Sequence, residues 1–541
     1  MPKLSNVPAH DTAKQELMTD AVLETPGAEV PEPTGFARLG RSNFVLFLAW
    51  FALILLLKWP TLTQPPVWDG SMSVFPAAIT LAENDFDLGY LLEQPGYADG
   101  GPNVHSVSLV TWLTAGIIWL LGDTSALFPL IHLVHFAIAA ATMAGLYRFA
   151  KPLLGNVMSA TALVAVLLFP LVLTQAGYMY LEFPMLAATT FALLSWTGGR
   201  LAQTTFWSVA AVLIKGAGII VPAAIAGMAL FDPRPTHRDR RSGLVVLLLS
   251  TTVLAVAMWV TPGGSGATDL RDHLAVMIQY LRQVPDLLIL MVGYLAATVL
   301  LAPWRPKPGG DRSVEPVRDD EQNRLLSVAF LFAAFFGFYL LVPVVLGIAA
   351  PILPRYYVQV FPFAIVGLLA ALRLKLDDRV LVLLLLLMMV WSGINRNGDM
   401  YADNNINSFA LIERSGAYTD LLDLQIMGIR ALQDLPGSIP VFYDQPAHYK
   451  LGYPLMGYAE EGLANGHSIR HELPFRNGRL EDFPPEFYML YESGLLDLGR
   501  EIIRSIWEQA ESDPNREVVV DVICSAAFCS GIIHVMPATV P

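Results

Sequence analysis

Apolar runs of about the length needed to cross 30 Å of hydrocarbon recur along this chain, and they limit it to folds whose buried backbone is satisfied within helices. The runs are Asn43 to Leu62, Ser125 to Tyr147, Val157 to Leu173, Phe183 to Thr197, Phe206 to Leu230, Gly243 to Val260, Leu287 to Ala302, Leu325 to Ala350, Val358 to Leu372 and Val380 to Ile394, with Ser106 to Leu121 marginal. The 541 residues are 54% hydrophobic and only 15% charged, too apolar for an ordinary soluble core. We therefore expect an α-helical polytopic membrane protein with about 10 to 12 membrane helices, given the length each crossing requires.

Three regions follow from composition. Residues 1–42 are polar and Pro-containing, as in a disordered cytoplasmic tail. The first apolar run is too long for a secretory signal and is expected to stay as an anchor. Residues 43–395 form the transmembrane domain, with an external loop over 63–124. From residue 396 to 541 the apolar runs shorten while Gly, Pro, Asn and charged residues rise, which points to a soluble α/β domain. Within it, helical spacing covers Ile412 to Leu435 and Leu495 to Ala510, and strand-like stretches cover Ile439 to Tyr443, Val518 to Cys524 and Cys529 to Met536. Cys524 and Cys529, the only cysteines, are too few for a thiolate metal site but suit a short disulfide across a hairpin in an oxidising compartment. A net charge of -13 argues against a nucleic-acid partner.

Sidedness is read from Lys and Arg, which are retained in cytoplasmic loops. Thr61 to Ser125 contains neither, yet holds seven acids including Asp69, Asp85, Asp87 and Asp123, so it reads as external. Arg148 and Lys151, Arg200, Arg234 to Arg241, Arg305 to Arg324 and Arg373 to Arg379 read as cytoplasmic. These placements agree only if Ser106 to Leu121 does not cross and Phe206 to Leu230 enters and returns as a broken hairpin with Lys215-Gly216 near its apex. Broken helices are tolerated at membrane depth where they line a protein cavity. With that parity Asp69, Glu182, Lys215, the stretch Asp269 to His273, Arg355 and the C-terminal region all fall toward the external face.

The intramembrane charges are where chemistry is to be sought, because a charge at bilayer depth costs about 2.5 to 3.5 kcal/mol on insertion scales. Asp69 opens Ser71 to Ala82, whose apolar positions recur as in an amphipathic helix lying on a membrane surface. Its carboxylate suits a base that takes a proton from a hydroxyl, and equally a helix N-cap. Glu182, in Leu181-Glu182-Phe183-Pro184, stands at the start of a span, where the helix dipole alone favours an acid. Lys215 lies mid-run and suits a phosphate in a cavity. Arg355 between two spans suits phosphate oxygens through its planar fork, and also an interfacial anchor beside Tyr356 and Tyr357. His105 and His273 are single histidines. No spacing matches a zinc or Walker site, so no cofactor is expected, although the acids are compatible with a divalent cation.

Taken in order, Trp68-Asp69, Gly101-Pro102-Asn103-Val104-His105 leading to Leu121-Gly122-Asp123, Leu181-Glu182-Phe183-Pro184, Ile214-Lys215-Gly216 and Arg355-Tyr356 before Phe361-Pro362 resemble the GT-C membrane glycosyltransferases. The similarity is to the protein O-mannosyltransferase and aminoarabinose transferase branch and spans roughly Asn43 to Leu372. Gly70 stands where that family often has a second acid, and Glu182 where it often has Asp.

The resemblance implies a GT-C-like fold in a bacterial inner membrane, with the N-terminus cytoplasmic and the C-terminal domain external. It implies a polyprenyl-phosphate sugar as donor and an acceptor hydroxyl on a protein, lipid or glycan. Asp69 would be the base, with Glu182 positioning the acceptor or the base, Lys215 and Arg355 on the donor phosphate, and His105 and Tyr356 on substrate. Two other classes stay open: a lipid or solute transporter, which should show paired broken segments in two halves, and a noncatalytic membrane assembly protein.

Overall fold

The structure is a computed structural model that describes residues 35–67, 70–93, 107–231, 237–260, 354–373, 376–397, 417–443, 447, 450–451, 453–461, 463, 465–469, 475, 477–492, 497–524 and 529–538. The runs Leu287 to Ala302 and Leu325 to Ala350 and the stretch Asp269 to His273 lie outside them. Two compact units divide at Val45, inside the first helix, α1 (Gly35–Lys58). Met1–Val45 contributes only the first described residues of that helix, and everything below belongs to Leu46–Pro541.

After α1, Pro60 closes the chain into a 3-10 turn, Trp59–Thr61. The next helix, α2 (Phe75–Glu83), follows a π turn over Gly70–Val74. The amphipathic surface helix expected over Ser71 to Ala82 is corrected here. The α-helix starts later, at Phe75, and Phe75 through Leu81 are all buried rather than half-wetted. Its cover is α4 (Leu109–Leu121), which follows the short α3 (Leu88–Glu93). At 13 residues α4 is about 20 Å long, too short to cross the hydrocarbon. Ser108 Oγ caps it by accepting from the Thr111 amide at 3.1 Å, and Gly122 ends it. Its Leu109, Leu113, Trp119 and Leu120 are exposed, a face suited to lipid.

Helix α5 (Leu127–Leu168) is two helices joined at Gly155, whose φ of 74° a side chain rarely adopts. The two apolar runs read from sequence on either side of Arg148 and Lys151 correspond to its halves. Gly155 faces the Arg373 guanidinium, which forks onto Asp378 at 2.9 and 3.1 Å. Next come α6 (Pro170–Gly177), α7 (Glu182–Thr197), α8 (Leu201–Ile214), α9 (Ile220–Phe231) and α10 (His237–Val260). Proline starts α6 and sits in the first turn of α11 (Phe361–Leu372), where its missing N–H costs nothing. A further helix, α12 (Asp378–Asn397), packs on α5 and α6. Phe169 and Phe361, 4.3 Å between ring centroids, and Phe149 and Phe363, 5.3 Å edge to face, join α5 to α11. Among the described residues three helices are long and apolar enough to cross a membrane by length and composition: Asn43–Thr61, Leu127–Leu168 and Arg240–Ala257.

The C-terminal region carries helices α13 (Ala417–Gln433) and α14 (Asp497–Ser512) and strands β1 (Val441–Tyr443), β2 (Gly466–Ser468), β3 (Phe487–Glu492), β4 (Arg516–Cys524) and β5 (Cys529–Pro537). The strand order is β2-β1-β3-β5-β4, parallel through β2-β1-β3 and antiparallel beyond. Cys524 pairs with Cys529 in the β4–β5 ladder and the two form a disulfide, as the spacing suggested.

Alternation along β3 divides the packing. Phe487 and Met489 face α14 with Ile503, Ile506, Ile533 and Val535. Tyr488 and Leu490 face the other way, with Ile532 and Tyr443, into a core shared with Val67, Phe75, Ile79, Ile118 and Ile131. The inner face of the sheet is therefore continuous with the segments that follow α1.

The break inside the run Phe206 to Leu230 lies where it was expected. Lys215 ends α8 in extended backbone, φ -154° and ψ 133°, and a 3-10 turn over Gly216–Ile219 leads into α9. Gly218 abuts the backbone at Ala211, where an added methyl would overlap the Ala211 carbonyl. Gly218→Ala is expected to cost about 1–3 kcal/mol by overpacking. Thermal melting of the detergent-solubilised protein checks this, and an unchanged midpoint would show that the turn is not held by that contact.

Candidate functional site

The break in α8 matters because of what it presents. The last carbonyls of a helix carry partial negative charge, so the Ile214 terminus favours the ammonium group that follows it. The start of α7 does the reverse for the carboxylate of Glu182. These two ends meet: Lys215 Nζ donates to Glu182 Oε1 at 2.6 Å. The 3-10 turn Pro354–Gln359 supplies the second cation, with Arg355 Nε 3.4 Å from the same oxygen. Glu182, Lys215 and Arg355 are 1%, 8% and 3% exposed, so all three charges have been taken out of solvent together.

Two neighbours fix the arrangement. Gln359, one turn beyond Arg355, donates its Nε2 to the Glu182 carbonyl at 2.6 Å, pinning the turn to the first residue of α7. Its Oε1 is buried and has no hydrogen-bond partner among the described residues. The Arg355 guanidinium carbon lies 5.6 Å from the centroid of the Tyr180 ring, in cation–π range. Tyr180 in turn lies 5.6 Å from Tyr178, whose ring carries Lys58 Nζ at 5.1 Å. Contacts thus run in succession from Lys58 through Tyr178, Tyr180 and Arg355 to Glu182 and Lys215.

Of the residues singled out in the sequence, Glu182, Lys215 and Arg355 are brought to one point. Asp69 and His105 lie outside the described residues, as does the side chain of Tyr356, although its backbone belongs to the same turn as Arg355. The Gly70 amide donates to Val67 O at 3.0 Å, and a Cβ at Gly70 would stand 3.4 Å from Met179 O. Gly70 therefore rests against the segment that leads into Glu182. Gln359, Tyr180 and Lys58 had not been singled out. A Gln or Tyr in an apolar turn carries no sequence signal, and Lys58 at a helix end looks like an interfacial anchor.

Chemically, the cluster is a buried ion group in which Lys215 and Arg355 share the Glu182 carboxylate, held by the start of α7, the end of α8 and the 3-10 turn Pro354–Gln359. No group of three His, Cys, Asp or Glu suited to a metal ion occurs among the described residues.

No family model and no curated protein matches this sequence. Among solved structures, the crystal structure of ArnT from Cupriavidus metallidurans bound to undecaprenyl phosphate is similar, with a TM-score of 0.50 and 13% identity over 93% of this chain and 98% of that one. The same protein in the apo state gives a TM-score of 0.45 and 14% identity over 92% and 98%. The likeness to the lipid-bound structure is one of fold.

Removing the carboxylate charge leaves Lys215 and Arg355 buried against each other. Breaking one partner of a buried pair costs about 3–5 kcal/mol, so Glu182→Gln should melt markedly earlier, and Glu182→Gln combined with Lys215→Met should recover much of the loss. If the double variant were no better than the single one, the coupling between the two charges would be absent.

Proposed function

We propose that this chain is an integral-membrane glycosyltransferase that moves a sugar from a polyprenyl-phosphate donor to an acceptor hydroxyl on the external face, with inversion at the anomeric carbon. The observation that carries this reading is the convergence of Lys215 and Arg355 on Glu182 in a buried cluster. It occurs in a fold shared with a protein crystallised with undecaprenyl phosphate.

The chemistry is as follows. Asp69 accepts the proton of the acceptor hydroxyl, and the oxygen forms a bond to the anomeric carbon. The bond from that carbon to the donor phosphate oxygen breaks on the opposite face, and its electron pair stays with the phosphate. The donor is a phosphodiester and the product a phosphomonoester, so negative charge grows on the phosphate as the bond breaks. Lys215 and Arg355 stabilise that growing charge, which is the form of electrostatic help that lowers a barrier rather than merely tightening binding. Glu182 holds the two cations at one place against their mutual repulsion and positions the acceptor or the base. His105 and Tyr356 contact substrate.

A lipid-borne donor fits an external site, because nucleotide sugars are cytosolic and the sugar must arrive through the membrane. The reading places the protein in a bacterial inner membrane with residues 1–42 cytoplasmic, residues 43–395 as the membrane domain and residues 396–541 external.

The test is incubation of the purified protein with a panel of polyprenyl-phosphate sugars, following release of the lipid phosphate. We expect turnover of at least one donor, and a loss of about 10²- to 10⁴-fold in Asp69→Asn, the usual worth of a positioned base. Near-normal transfer by Asp69→Asn would reject the base assignment, and no turnover of any donor would reject the transferase reading.

A further inference from the structure

The residues Gln64–Val67 belong to no helix or strand. Pro65 and Pro66 have no N–H to offer, and the described backbone bonds around them are Gln64 N to Thr61 O at 3.1 Å and Gly70 N to Val67 O at 3.0 Å. Such a segment keeps one position only if other elements hold its carbonyls. Two side chains do so from opposite sides. The ring nitrogens of His132 on α5 lie 3.0 Å from Gln64 O and 3.0 Å from Gly177 O, which ties the segment to the approach to Glu182. From the C-terminal region, 392 residues away in sequence, the Tyr458 hydroxyl donates to Pro66 O at 2.7 Å.

Tyr458 is itself held. Its neighbour Gly457 adopts φ 80° and lies so close to Phe128 that a Cβ would stand 2.9 Å from the ring and 3.8 Å from Pro65. Lys450 Nζ lies 4.9 Å from the Tyr458 ring centroid and 3.9 Å from Glu492 Oε1, at the end of β3. This buried line runs from the sheet to Pro66. Burial, with Glu492 adding to it, pushes the Tyr458 phenol well above its ordinary value of 10.0, so it remains a donor throughout the physiological range. Burial lowers the Lys450 ammonium against the opposing pull of Glu492.

We propose that Tyr458 is a positioning residue: by holding Pro66 it fixes the residues just before Asp69, so that the C-terminal region sets where the chain leads into the base. This rests on the transferase reading above. It assigns the C-terminal region a part in the reaction that does not require it to touch either substrate.

The test is Tyr458→Phe in the full-length protein, with Tyr488→Phe on the same sheet as the control. Hydrogen exchange is read on a peptide covering residues 67–72, and kcat and KM are read with a turned-over polyprenyl-phosphate sugar. We expect exchange in that peptide to quicken at least about tenfold while β3 and β5 keep their protection. We also expect kcat to fall about 10- to 100-fold, the cost of displacing a reacting group by about 1 Å, with donor KM within about twofold of wild type and Tyr488→Phe unaffected. Unchanged exchange over 67–72, unchanged kcat, or a change confined to KM would each overturn the proposal. So would loss of protection throughout the sheet, which would mark the hydroxyl as structural only. If the wild-type protein turns over no donor, the transferase reading fails whatever the exchange shows; if it turns over a donor and Tyr458→Phe leaves exchange over 67–72 unchanged, the positioning role alone fails.

Discussion

The ion cluster at Glu182 constrains this molecule more than any other contact. A lone carboxylate, ammonium or guanidinium at this depth would be strongly disfavoured, and each becomes tolerable only because the others neutralise it. Three separated pieces of chain must therefore meet: the first residue of α7, the broken end of α8 and the turn before α11. The break at Lys215 follows from the same requirement. An unbroken helix would bury its backbone amides but carry the ammonium past the carboxylate, whereas an extended residue there turns the side chain into the cluster.

The surroundings extend that logic outward. The segment from Tyr178 to Glu182 presents two rings to two cations, Lys58 and Arg355, and then the carboxylate itself. Against it lies Gly70, and over Pro65 and Pro66 lie Gly457 and Tyr458 of the C-terminal region. A hydrophobic core that runs without interruption from α2 and α4 into the sheet gives these polar contacts a rigid frame. In the transferase reading, that frame is what lets a proline-rich, otherwise unsupported segment carry a reacting group.

Much of this was legible in the residues. Long apolar runs announced several of the helices. Lys215-Gly216 within an apolar run marked a break, and paired cysteines five residues apart marked the β4–β5 hairpin. Periodicity misled over Ser71 to Ala82, because a helix buried by α4 on one side and the C-terminal sheet region on the other keeps its helical spacing while losing its wet face. Gln359, Tyr180, Lys450 and Tyr458 were not legible at all. Each is an ordinary residue type with no distinctive spacing, and its part depends on a partner tens or hundreds of positions away.

The residues alone settled that the long apolar runs among the described residues form helices, where one of them breaks and which charges are too costly to leave unpaired. Those are local matters, set by hydrophobic period, proline, glycine and the desolvation of a charge. Only the tertiary structure decided that Glu182 is the carboxylate those cations share, and that a tyrosine near the C-terminal end of the chain supports the segment next to Asp69. Pairing across 33 and 392 residues is chosen by the packing of helices and sheet around it, and no local pattern in the chain records that choice.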